Sequence, residues 1–162
     1  MAAPRLTRLA TFSSVFLRLA LGISFLSAVA DRFGLWGVYG DPNVSWGNYA
    51  RFVDYTAKLN SFLPAAMIPP LARMATAAET LLGLLLVLGW NTRIVAVLSG
   101  ALLSTFALTM TVALGVEAPL SFSVFSAAGG ALLLGAGADF PLSVDDVLRK
   151  TVHAGHLGDP PS

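Results

Sequence analysis

The sequence predicts an all-α membrane protein: a four-transmembrane-helix bundle with an amphipathic extracytoplasmic helix between the first and second spans. Three observations carry that reading. Hydrophobic residues make up 56% of the chain and charged ones only 12%, where a soluble domain carries about 25% charged residues. Four apolar runs each approach the ~20 residues that a helix needs to cross bilayer hydrocarbon. Short polar, proline or glycine breaks separate three of them, so consecutive runs read as antiparallel neighbours. With 162 residues, four spans leave no room for a separate soluble catalytic domain. The formal net charge of +1 gives no pull toward nucleic acid or an acidic substrate. The absence of cysteine rules out thiol exchange, disulfides and thiolate-held iron–sulfur clusters by this chain itself.

The first span covers about residues 11–34, preceded by Arg5 and Arg8. Ala28-Val29-Ala30 has the small side chains of a signal cleavage site, but Arg18 interrupts the apolar run and three more spans follow, so the segment is read as retained. The second span, about 67–90, starts around Pro69 and Pro70, where a missing N–H costs nothing. Asn91-Thr92-Arg93 allows only a tight turn into the third span, about 92–115. Gly115 to Pro119 breaks the chain before a fourth, about 120–138, which Asp139 and Pro141 end. Residues 1–140 are thus one membrane domain, and 141–162 a short polar tail in which Ser143 and Asp146 resemble a capping box. His153 and His156 lack the further ligands a metal site needs, so no metal is expected.

Basic residues set the orientation. Arg5, Arg8, Arg93, Arg149 and Lys150 fall on one side, and Arg32, Arg51 and Lys58 on the other. The first side is assigned to the cytoplasm, which places both termini there, in a multi-pass protein of the cell membrane. Between the first two spans, residues 44–63 carry apolar side chains at helical spacing, with Asn48, Arg51, Asp54 and Lys58 on the opposite face and Ser45 placed to cap. This segment is expected to lie on the outer surface, with Trp46, Tyr49 and Phe52 either anchoring it at headgroup level or closing over the bundle mouth.

Ionisable residues inside spans are the candidate site, because lipid rejects them at a cost of about 2.5–3.5 kcal/mol each. Counted from the cytoplasmic ends, Arg18 lies ~10 Å deep and Glu79 ~16 Å deep, within reach of an arginine side chain. An Arg18–Glu79 ion pair is therefore expected, with Asp31–Arg73 as a second pair nearer the outside. Small residues around Glu79 (Ala72, Ala75, Thr76, Gly83), together with Gly22, would let the two helices approach closely. Two readings stay open: the pairs fix helix register, or they line a site for a quinone-like ligand or a proton path. No nucleophile–base constellation is visible, which points away from catalysis by this chain on its own.

Several stretches resemble the DoxX family of small bacterial membrane proteins: Phe16 to Gly22 followed by Ala30-Asp31-Arg32-Phe33-Gly34, then Ala78 to Gly83, Leu88 to Arg93 and Gly115 to Leu120. The resemblance covers about residues 12–137 and places Arg18, Glu79 and Arg93 at positions matching family motifs. It implies a four-helix membrane bundle. Some members are associated with quinone-linked oxidoreductase complexes or with thiol and oxidative-stress systems; lacking cysteine, this chain could serve the latter only through a partner. The expected function is an accessory or binding subunit of such a redox system, with a quinone or lipid-like molecule as ligand. Its partners would be the lipid bilayer, a membrane or peripheral oxidoreductase and further copies of itself, with no nucleic acid. A small-molecule transporter or permease and a purely structural scaffold are the alternatives.

Overall fold

The computed structural model describes residues 4–137 and 140–156, with side chains described between 8 and 151. Among the described residues all regular structure is helical. The helices are α1 (Pro4–Arg32), α2 (Tyr49–Leu59), α3 (Ile68–Leu88), α4 (Thr92–Leu114), α5 (Glu117–Ser121), α6 (Val124–Ala136) and α7 (Val144–His156). A single 3-10 turn, Ala65–Met67, leads into α3. Three helices, α1, α3 and α4, are long and apolar enough to cross a membrane. Large apolar side chains such as Phe12, Phe16, Met74, Leu81, Leu108 and Val112 point outward from them. This is the inverse of a soluble protein's surface and fits a lipid solvent.

The fourth span expected at 120–138 is not one continuous helix. Ser123 takes a left-handed backbone conformation (φ 55°), and the Phe122 N–H turns back to the Ala118 carbonyl. α5 ends there and α6 continues for only 13 residues, about 20 Å at 1.5 Å per residue. Residues 138–139 lie outside the described residues, as do the side chains of His153 and His156.

Backbone contact sets the register of the long helices. A side chain added at Gly22 would come within 2.9 Å of the Gly83 carbonyl oxygen, and one at Gly83 within 3.1 Å of the Gly22 carbonyl. α1 and α3 are therefore antiparallel and nearly touching at that level, as small residues permit. α4 and α6 meet in the same way, with Gly100 against Leu132 and Gly135 against Val97. Leu21, Phe25, Leu82, Leu86, Val95 and Leu134 fill the centre.

Gly89 ends α3 at φ 69°, where any other residue would be strained. Its missing side chain also leaves space for the Arg18 guanidinium, which a Cβ would strike. The turn to α4 is capped from a distance, since Asn91 makes no side-chain cap of its own. Both oxygens of Asp145 accept backbone N–H groups, from Asn91 at 2.7 Å and Thr92 at 2.8 Å. The Asp145 N–H in turn donates to the Gly89 carbonyl. The Ser143 hydroxyl accepts the Asp146 N–H and so caps α7.

α2 is shorter than the segment 44–63 and starts later than a Ser45 cap would place it. Asn48 is the cap, its side-chain oxygen accepting the Arg51 N–H at 3.1 Å. The helix cannot begin sooner, because Gly47 is left-handed (φ 66°) and the amides of residues 45–47 are engaged elsewhere.

Two outcomes are expected from these contacts. Gly22→Val should lower the midpoint of thermal unfolding in detergent, by overpacking worth about 1–3 kcal/mol. Gly129→Ala, where nothing lies within 4 Å of the added carbon, should leave it within about 1 kcal/mol of wild type. Equal midpoints for the two variants would remove the close approach. On α7, Asp146 pairs with Lys150 at 2.8 Å and Arg149 at 3.2 Å, and these hydrogen bonds hold its carboxyl below the ordinary value of 3.8. The pairing is fully present above that value and lost as pH falls through the lowered one. Amide hydrogen exchange in α7, corrected for intrinsic rates, should accelerate only across that acidic window; acceleration already at pH 5–6 would contradict it.

Candidate functional site at the Arg32 end of the bundle

Arg32 is the last residue of α1, and its side chain reaches across to the middle of α3. There Nη2 donates to both oxygens of Glu79 at 2.7 Å, and Nη1 donates to the Thr76 hydroxyl at 3.0 Å. Thr76 and Glu79 are three residues apart on α3, hence on one face, and the Thr76 hydroxyl itself donates to the Ala72 carbonyl. Arg32 and Glu79 are both buried. α2 and the segment before it supply the roof: the Phe52 ring centroid lies 3.7 Å and the Trp46 centroid 5.3 Å from the guanidinium carbon. A desolvated cation over an aromatic face is worth about 2 kcal/mol, so the roof stabilises the charge it shields from solvent. Tyr49 stacks on Phe33 with centroids 5.8 Å apart. The Tyr55 hydroxyl, half-buried on the same helix, is pushed above its usual pKa by burial.

The neighbouring Asp31 does different work. Its carboxylate accepts the backbone N–H groups of Ser45 at 3.0 Å, Trp46 at 3.1 Å and Gly47 at 3.4 Å. Charge-assisted bonds of this kind are stronger than neutral ones. Adjacent residues at the end of α1 thus anchor α3 and the segment leading into α2.

Neither expected pair forms. Arg18 does not meet Glu79; its Nη2 donates to the Leu142 carbonyl at 2.6 Å, beside Gly89 at the far end of α3. The Gly22–Gly83 contact explains why. Arg18 lies one turn to one side of that contact and Glu79 one turn to the other, which separates them by about 12 Å along the axis. Counting depth from the span ends failed because α1 runs on well past the level of Gly89. Arg73 does not meet Asp31; it is exposed on α3, and Asp31 is committed to backbone amides. Arg93 donates to the Gly137 carbonyl at 3.0 Å, joining α4 to the end of α6. Sequence reasoning missed Arg32 as the partner of Glu79. Aligning the two helices on Gly22 and Gly83 places Glu79 on the Arg32 side of that contact rather than the Arg18 side.

Beside this cluster lies an open groove of about 420 Å³. α1 provides one wall with Ser24, Ser27, Ala28 and Asp31, which fall on one helical face, and Trp36, Asn43, Ser45 and Trp46 provide the other. Its lining mixes indole surface with a few hydroxyl and amide groups. Among the described residues no cluster of three or more histidine, aspartate or glutamate side chains could hold a metal ion.

A sequence model of the DoxX family matches residues 13–114, more than half of the chain. The chain belongs to the DoxX family. The match takes in α1 from residue 13 onward and the chain through α4, and with them Arg32, Glu79, the aromatic roof and the groove; α5 to α7 fall outside it. No curated protein and no solved structure matches the chain. Family membership and three long apolar helices make this DoxX protein a multi-pass membrane protein.

Removing Glu79 alone should strand a buried guanidinium and cost about 3–5 kcal/mol. In detergent unfolding assays Glu79→Ala should therefore fall well below wild type, and Arg32→Met combined with Glu79→Leu should regain most of the loss. A Glu79→Ala midpoint equal to wild type would show that the pair does not anchor α1 to α3.

Proposed function

We propose that this DoxX-family chain is a non-catalytic binding subunit of a membrane redox system, which holds the headgroup of a quinone-like lipid in the groove beside α1. The observation that carries the reading is the groove itself, open at its side and lying between a serine-bearing face of α1 and two indoles. Quinone oxygens only accept hydrogen bonds. The Ser24 hydroxyl and the Asn43 side-chain amide, both exposed on the groove, are donors of the right kind. A flat ring fits against the Trp36 and Trp46 indoles, and an isoprenoid tail would leave along the apolar surface of α1. The Arg32–Glu79 pair is the groove's foundation in this reading and does not touch the ligand.

In this proposal α5 and α6 together form a fourth crossing, and the outward-facing charges of α2 lie in water above the bundle. Both termini are cytoplasmic, in the cell membrane, with the groove at the outer face. Transport along the α1–α3 seam is the less favoured reading. Between Arg18 at one end and Arg32 with Glu79 at the other, the seam is closed by the Gly22–Gly83 contact and by Leu21, Phe25, Leu82 and Leu86. A redox partner would then exchange electrons with the held quinone rather than with the chain.

The test is titration of the purified protein in lipid nanodiscs with a short-tailed ubiquinone, read by tryptophan fluorescence, with the isoprenoid alcohol alone as control. Saturable quenching is expected from the quinone only. Ser24→Leu and Asn43→Leu should each weaken it roughly five- to tenfold, the worth of one hydrogen bond. Quenching that never saturates, or that is identical in all three proteins, would defeat the proposal.

A further inference from the structure

We infer that residues 33–38 form a re-entrant loop immersed in the acyl chains of the leaflet at the Arg32 end, with the Trp36 indole level with Ser27 of α1. The placement follows from hydrogen bonds. Beyond Arg32 the chain does not continue outward but turns back along α1. The Trp36 indole N–H donates to the Ser27 carbonyl at 3.0 Å and meets the Ser27 hydroxyl at 3.1 Å. Ser27 is five residues before the end of α1, so the indole is drawn about 7 Å back along the span.

Irregular backbone is costly in hydrocarbon unless its polar groups are satisfied within the protein. In this loop five of the six N–H groups of residues 33–38 are satisfied within the protein. The N–H groups of Phe33, Gly34, Leu35 and Gly37 donate to the Ala30, Asp31, Ala30 and Gly34 carbonyls, at 3.0 to 3.3 Å. The Val38 N–H donates to the Asp41 carboxylate at 3.0 Å. The side chains complete the case: Leu35 is 75% exposed, Trp36 61% and Val38 68%, next to Ile23 of the span at 58%. The loop's apolar surface therefore continues the lipid-facing surface of α1, and that continuity identifies acyl chains as its occupant. Arg51, with its guanidinium carbon 3.6 Å from the Tyr39 ring centroid, ties the loop's outer end to α2. None of this depends on the groove holding a quinone.

The chain has no cysteine, so single cysteines take a nitroxide label on a clean background. Labels at Leu35→Cys in the loop and Asp54→Cys on the exposed face of α2 would be compared in the full-length protein in liposomes. Collision rates with oxygen, which partitions into lipid, and with a water-soluble nickel chelate are the readout. The Leu35 label should collide with oxygen and be shielded from nickel, giving a ratio several-fold above that at Asp54. A ratio equal to that at Asp54 would place the loop in water and overturn the inference. Shielding from both reagents, together with dipolar broadening between labels, would mean that a second copy of the chain covers the loop, and would overturn it as well. Trp36→Phe, with the indole bond to Ser27 removed, should shift the Leu35 label toward nickel exposure; no shift would show that this bond does not hold the loop down.

Discussion

Arg32 carries a full charge at the end of an apolar helix, and Glu79 makes that position tenable by accepting from one guanidinium nitrogen through both of its oxygens. A buried pair of this kind contributes little net stability compared with an apolar replacement, but losing either partner would leave the other charge buried and unpaired. The geometry of the pair propagates. It holds the end of α1 against the middle of α3, and so places Asp31 where it gathers the amides of residues 45–47. Those bonds delay the start of α2 to Tyr49, which in turn sets Phe52 over the guanidinium. Each contact presupposes the one before it.

At the opposite end of the bundle a second polar junction follows the same logic with backbone partners in place of a carboxylate–guanidinium pair. Arg18 bonds the Leu142 carbonyl, Gly89 yields the space it occupies, and Asp145 caps α4 from across the chain. The long helices are thus fastened by charge at both ends and by close packing in the middle. Between the two junctions the α1–α3 seam is narrowed by glycines and filled by apolar side chains. A ligand has room on the outer side of α1 rather than inside the seam, and this moves the candidate site from the buried ions to the groove beside them.

The existence of three long apolar helices was legible because hydrophobicity is a local property, although α1 begins at Pro4 rather than near residue 11. Gly89 and Gly115 end α3 and α4 where a residue without a side chain is easily accommodated, and Ser143 marks the start of α7 through its own hydroxyl. Glu79 was recognisable as a residue that lipid would not accept, and so was its need for a cation. Which cation answers it was not legible. Arg18 and Arg32 stand on the same helix, and the choice between them depends on how far α3 slides along α1.

The sequence by itself determined that this chain is a helical membrane protein and that its buried charges need partners. These follow from the transfer of each residue into lipid and from backbone preferences spanning a few neighbours. Only the tertiary structure decided the partners: Arg32 for Glu79, backbone amides for Asp31, a distant carboxylate for the α4 cap, and a fourth apolar segment interrupted at Ser123. Such choices rest on the register between helices, which is fixed by where two backbones touch at Gly22 and Gly83 and is carried by no single stretch of chain.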